Sequence, residues 1–354
     1  MFERRRTQRI GKAVRISMLI VFLGIFVMVL VVYHLYSRIY VSNVSLEGDQ
    51  VIYYIPTGTT FEQVVNGLEE EGIIVSRRSF IWVAEKKRYD RQVKPGRYKI
   101  MDGVSNNTLV NMLRSGNQDP VMLVFNNIDR LDQLAGRVSD YLEGDSAEFA
   151  TFLTTGETAG RYGFDQATFP SMFIPNTYEF YWNTTPEEFT ERMKEEYELF
   201  WKGERDRKAG RLEMTRAEVT TLASIVDKET LHDDENSRIA GVYINRLEKG
   251  IPLQADPTVK FALNDITRKR ILNADKNIDS PYNTYRFKGL PPGPISIPSI
   301  SAIDGVLNYE EHKYLYFCAK PDFSGYHAFS RTLAQHNRNA REYQKALNRN
   351  RIYR

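Results

Sequence analysis

Glu229 is the residue whose type and setting most directly offer chemistry. It lies in the segment RAEVTTLASIVDKET, residues 216–230, and Thr215-Arg-Ala-Glu218 just ahead reads as a capping box. A helix is therefore predicted from near Arg216 to about Thr230. On a wheel advancing about 100° per residue from Val219, Ile225, Leu222, Val226 and Ala223 fall at roughly 240°, 300°, 340° and 40°. Glu229 falls at about 280°, inside that apolar face, while Lys228 at roughly 180° is outside it and Asp227 at roughly 80° is at its margin. A carboxyl held against apolar neighbours is costly to ionise, so its pKa rises. An acid that keeps its proton near neutral pH can serve as a general acid. A Glu on an apolar stripe is not specific by itself: at a helix end it can also turn to solvent or pair with an arginine.

Three downstream clusters combine aromatic rings with amides and hydroxyls. Residues 250–263, GIPLQADPTVKFAL, place Gln254 and Asp256 before a Pro-Thr turn. Residues 280–299, SPYNTYRFKGLPPGPISIPS, bring Tyr282, Asn283, Thr284 and Tyr285 ahead of a loop dense in Gly and Pro. Residues 325–337, GYHAFSRTLAQHN, contribute His327, Phe329, Thr332, His336 and Asn337. Ring faces cover the C–H faces of a sugar while fixed donors and acceptors read its hydroxyl and N-acetyl groups, so such clusters suit a glycan cleft. Each taken alone also reads as a structured loop, and for Pro291–Pro294 that is the preferred reading. His232, His312, His327 and His336 form no metal-ligand spacing, so no metal is expected. There is no phosphate-cradling loop and no G-x-S-x-G elbow, and no cofactor is expected.

These residues need elements to hold them. Between Ile16 and Tyr36 there are 21 positions without a formal charge. At about 1.5 Å per residue they span roughly 30 Å, the thickness of a bilayer's hydrocarbon core. Arg4, Arg5, Arg6, Arg9, Lys12 and Arg15 precede the run and only Arg38 follows closely. The positive-inside rule then puts the N-terminus in the cytoplasm and the rest of the chain outside, on a single-pass cell (inner or plasma) membrane anchor. A cleaved signal would have a shorter apolar run and a small-x-small site, and neither is present. The 354 residues carry a net +3. Residues 1–38 hold seven basic groups against one acid, so the body, with 41 basic and 44 acidic residues, is −3. A slightly acidic body argues against nucleic acid as a partner. The single cysteine, Cys318, excludes an internal disulfide and sits in an apolar run, 314–319, that reads as a buried strand.

The predicted organisation is a basic tail (1–15), a transmembrane helix (16–36), a connector (37–47), a small module (48–118) and a larger domain (119–348), giving an α+β class overall. The module carries a weak repeat: PTGTTFEQVVNGL (56–68) and MDGVSNNTLVNML (101–113) share a Gly turn, a polar cap and an amphipathic helix, each after a strand-like stretch. Residues 121–125 read as a strand and 129–142 as a helix. A capped helix is predicted from Pro186, solvated through about Arg207, and another over about 237–249 closed by Gly250.

Taken in order, the anchor, LASIVDKET, INRLEKGIPLQADPTV, PYNTYRFKGLPPGPI and HAFSRTLAQHN resemble the YceG-like endolytic murein transglycosylases, from the anchor to about Gln344. The resemblance implies a LysM-like N-terminal module, a YceG-like catalytic domain and a catalytic acid at Glu229. It implies a lyase that cuts the β-1,4 bond between N-acetylmuramic acid and N-acetylglucosamine in nascent peptidoglycan strands without water. The product ends would be 1,6-anhydromuramoyl, strand elongation would stop, and the partners would be the glycan-polymerising synthases (penicillin-binding proteins). Matching positions make Gln254, Asp256, Tyr282, Asn283, Thr284, Tyr285 and His327 candidates for orienting the sugar. The chain departs from the family pattern at Asp227, where Glu is common, at Asn176, where Asp is, and at Gln335, where Glu is; Glu229 is retained, and Asn176 and Gln335 receive no acid role. The rival readings are a membrane-anchored, non-catalytic peptidoglycan-binding scaffold and a hydrolase that leaves reducing ends.

Overall fold

The computed structural model describes residues 2–265, 268 and 271–350. For residues 2–13 only the helical backbone is described, so the basic side chains between Arg4 and Lys12 lie outside it. The first unit comprises residues 1–121 with 181–183, and the second residues 122–180 and 184–354.

In the first unit, α1 (Phe2–Tyr40) contains Val14–Tyr40, long and apolar enough to cross a membrane, with an 18-residue stretch of mean hydropathy 2.9. Then come β1 (Gln50–Ile55), α2 (Phe61–Glu70), α3 (Arg77–Lys86), β2 (Gly96–Met101) and α4 (Asn106–Ser115). The repeat is visible as two strand–turn–helix arms. Gly58 and Gly103 take φ of 83° and 73° at equivalent turns, a region where a side chain is strained. Thr60 and Ser105 then cap the two helices. The arms pair through β1 and β2 in antiparallel register, with Tyr53 opposite Tyr98. Val64, Val65 and Leu68 of one helix and Leu109, Val110 and Leu113 of the other are buried in a shared core with Phe80 and Tyr89. The stretch expected as a connector is bonded into this unit. Asn43 joins Ser76 and the buried Asn106, Val44 is buried, and the Asn106 amide donates to the carbonyl of Arg38 at 2.9 Å.

In the second unit, β3 (Val121–Phe125) pairs with β4 (Asn176–Phe180), and α5 (Leu131–Ser139), α6 (Ser146–Thr154) and α7 (Gly156–Arg161) lie between them in sequence. The helix from Pro186 is α8 (Pro186–Trp201), opened by the predicted Thr185–Glu188 capping box. It stops short of Arg207. Gly203 takes φ of 89°, and α9 (Glu204–Arg211) starts anew. Nor is it simply solvated: Phe189, Met193, Tyr197 and Trp201, four residues apart, are buried.

The remaining elements are α10 (Arg216–Glu229), α11 (Asn236–Glu248), α12 (Asp256–Ala262), α13 (Ile300–Leu307), β5 (Tyr316–Ala319), β6 (His327–Ser330) and α14 (Leu333–Arg349). The middle of α10, residues 219–226, is buried throughout, and α11 and α13 pack on it. Strands β5 and β6 form an antiparallel pair in which Cys318 faces Ala328. The expected buried strand is shorter and only half-buried, because a two-stranded ribbon leaves a face uncovered. Burial still pushes the Cys318 thiol up.

Candidate active site

Helix α10 is built to deliver its last residue. Thr215 and Glu218 close a reciprocal capping box. The buried hydroxyls of Thr220, Thr221 and Ser224 donate to main-chain carbonyls of Arg216, Ala217 and Thr221. Ser224 also accepts from the amide of Ile295, which pins the Pro-rich loop to the helix. At Gly293 a Cβ would lie 2.0 Å from the carbonyl oxygen of Ala167, so that loop requires glycine.

The three polar residues at the end of α10 go separate ways. Asp227 accepts from the Ser299 hydroxyl at 2.5 Å and its amide at 3.3 Å, where α13 begins. Lys228 points out and pairs with Asp129 at 2.5 Å. Glu229 closes the helix and lines a pocket of about 290 Å³ with Tyr243, Arg246, Gln254, Asp256 and Tyr285. Tyr316, Phe317 and His336 complete the far wall, beside Leu253.

Burial pushes the Glu229 carboxyl up from 4.5 to about 7. The buried Tyr243 hydroxyl, donating to Oε1 at 2.8 Å, opposes that rise by stabilising the anion. The charge of Asp256 adds to the rise and Lys260 offsets it. Tyr243 is itself held well above its ordinary pKa, first by burial and then by Glu229, so it remains a donor. The result is a carboxyl that titrates near neutrality with one oxygen fixed.

The loop before α12 supplies the opposite wall. Gln254 has φ of 55°, a strained value for a residue with a side chain. It is held there by Thr284, whose carbonyl accepts from the Gln254 amide and whose hydroxyl accepts from the Ala255 amide, both at 3.0 Å. Asn283, fully buried, donates to the carbonyls of Lys276 and Ile278 and accepts from the Tyr285 amide. The Tyr285 hydroxyl donates to Asp256 at 2.5 Å.

Of the residues singled out from the sequence, Glu229, Gln254, Asp256, Tyr285 and His336 meet at this pocket. Asn283 and Thr284 lie behind its wall with their polar groups engaged. Tyr282 packs on Phe261, with ring centroids 4.6 Å apart, and does not line the pocket. His327 does not line it either: its Nδ1 is 2.8 Å from the buried Glu235. Tyr243, Arg246, Tyr316 and Phe317 also line the pocket and are not among the residues singled out from the sequence.

One carboxyl of raised pKa, fixed by a buried tyrosine and opening on a pocket of aromatic and amide side chains, is the layout of a site for acid catalysis. The chain belongs to the YceG-like family, whose profile matches residues 53–342. It is 28% identical over 324 residues to an endolytic murein transglycosylase of Streptococcus pneumoniae, covering 82% of this chain and 57% of that protein. Over 128 residues it is 41% identical to an endolytic murein transglycosylase of Bacillus subtilis, covering 36% of this chain and 35% of that one. The chain thus spans little more than half the length of the pneumococcal relative. A crystal structure of a YceG-like protein from Listeria monocytogenes superposes with a TM-score of 0.54 at 28% identity, over 82% of this chain and 99% of that one.

Proposed function

We propose that this chain is an endolytic peptidoglycan lytic transglycosylase, a lyase that cleaves the β-1,4 bond between N-acetylmuramic acid and N-acetylglucosamine in nascent strands. The observation that carries the reading is Glu229 at the pocket, its carboxyl displaced to about 7 and fixed by Tyr243. In the first half of the reaction Glu229 gives its proton to the departing glycosidic oxygen. The substrate's own N-acetyl group stabilises the charge left at the anomeric carbon. Glu229, now ionised, takes the proton from the muramoyl 6-hydroxyl, which attacks that carbon and closes the 1,6-anhydro ring. A single group that titrates near neutral pH can serve both halves, with no water consumed.

A second reading, a glycosidase that uses water, is favoured by one feature: Asp256 brings another carboxylate to the same pocket. Tyr285 already donates to it. Purified glycan strands digested with the full chain in detergent separate the possibilities by mass spectrometry of the ends. Anhydro ends support transglycosylation, reducing ends support hydrolysis, and uncut strands support a binding scaffold.

The wider expectations join this proposal. The apolar helix is a single-pass anchor in the cell membrane, with the basic tail cytoplasmic and the chain that follows the helix outside. Residues 48–118 form a LysM-like glycan-binding module and residues 119–348 the catalytic domain. Anchoring keeps the enzyme near the membrane face where strands emerge, so it meets them internally, ends their elongation and works beside the glycan-polymerising synthases.

A further inference from the structure

The pocket has a second pole that the acid chemistry leaves unused. Arg246 lines it and is 6% exposed. Its guanidinium donates to the carbonyls of Pro252 and Leu315, both at 2.9 Å, and to Oε1 of Gln254 at 2.6 Å. A guanidinium has five N–H groups. One on each terminal nitrogen therefore has no protein partner among the described residues. The three acceptors fix its plane without neutralising it, and a buried cation without a counter-charge is expensive.

The Tyr316 ring lies 5.6 Å from this guanidinium and stacks on the His336 ring, with centroids 5.4 Å apart. His336 also lines the pocket, and its Nδ1 is buried without a hydrogen-bond partner. Burial and the nearby Arg246 charge hold the imidazole below its ordinary pKa, so it is neutral near neutral pH. Arg246 from α11, with two N–H groups unspent, and the His336 ring from α14 thus line one cavity beside an aromatic ring.

The two sugars of murein differ by the lactyl ether on muramic acid, and its acyl end presents oxygen acceptors. As a free carboxylate it presents a planar pair, which matches the two spare N–H groups of a guanidinium. In amide linkage to a stem peptide it presents one carbonyl. We propose that Arg246 and His336 form a recognition subsite for this lactyl acyl group, and that the subsite sets which of the two alternating glycosidic bonds reaches Glu229. The inference rests on the glycan reading of the pocket given above.

Binding tests it on the full chain in detergent, with Glu229→Gln present so that nothing is cut. Three oligomers of equal length are titrated: alternating murein glycan without peptides, the same glycan bearing stem peptides, and a chitin oligomer that lacks the lactyl group. The murein oligomers bind at least about tenfold more tightly than chitin. Preference confined to the peptide-free oligomer identifies the carboxylate as the ligand, and preference for the peptide-bearing one identifies the amide carbonyl. Arg246→Lys and, separately, His336→Ala remove most of that preference. Because Arg246 also clamps two carbonyls, His336→Ala and the oligomer comparison on the unaltered pocket carry the test if Arg246→Lys fails to fold. Equal binding of all three oligomers, or a preference that survives His336→Ala, overturns the subsite and leaves the glycan reading standing. Binding of none of them overturns both.

Discussion

Tyr53 and Tyr98 face each other across the strand pair of the first unit, and their hydroxyls donate to main-chain carbonyls of Val64 and Lys94. Tyr243 and Tyr285 of the second unit instead donate to the carboxylates of Glu229 and Asp256. Burial raises the pKa of all four, to about 12 for the first two, so all remain donors at neutral pH. The acceptor makes the difference. A donor spent on a carbonyl stabilises the fold, whereas the donor spent on Glu229 also sets when that carboxyl loses its proton.

Four expected outcomes sharpen or break that contrast. The largest follows Glu229→Gln, which keeps the shape of the side chain and removes its proton chemistry. Strand cleavage falls by about 10³-fold, and activity near the parent level would end the assignment. The next is a pH-dependent gain in stability from the same variant. The folded carboxyl titrates at about 7 against 4.5 for the ordinary group. The folded state therefore holds the extra proton between those values, and the parent loses stability as pH rises through that window. At roughly 1.4 kcal/mol per unit, the full displacement corresponds to roughly 3 kcal/mol. Glu229→Gln is accordingly more stable than the parent at pH 8 by up to that amount and equal to it below pH 4, as read by thermal unfolding at both values. A gain of the same size at both would contradict the displaced pKa.

Tyr243→Phe is smaller in effect and more specific. It removes the bond that opposes burial, so the alkaline limb of kcat/KM, set by loss of the Glu229 proton near pH 7, moves up by about one unit. Tyr98→Phe in the first unit costs about 1 kcal/mol of stability and leaves that limb in place. A limb that moved in both variants, or in neither, would erase the distinction between the two sets of tyrosines.

The acid was legible in the sequence because one helix carries a clean period and Glu229 breaks its apolar face. The same test applies to α11. Counting about 100° per residue from Ile239, Val242 falls at roughly 300°, Tyr243 at 40° and Arg246 at 340°, so this arginine also sits within an apolar face. His336, Tyr316 and Phe317 carry no such local sign. They reach the pocket because the β5–β6 ribbon folds back on α11 about seventy residues later in the chain and α14 packs on that ribbon, and period alone does not encode that return. Asn283 and Thr284 show the opposite limit. Their residue types suit sugar contacts, but Thr284 spends its hydrogen bonds on the Gln254 loop and Asn283 spends its own on the carbonyls of Lys276 and Ile278. The break after Trp201 turns on one glycine, Gly203, placed among strong helix formers that mask it.

In the proposed reaction one carboxyl performs both halves of a cleavage that consumes no water. Digesting glycan strands with the full chain in water enriched in oxygen-18, and weighing the new ends, tests it directly. The expected products are anhydro ends without label, each lighter than a reducing end by one water. Reducing ends carrying one oxygen-18 would contradict it and make Asp256 the partner of Glu229 in a hydrolase.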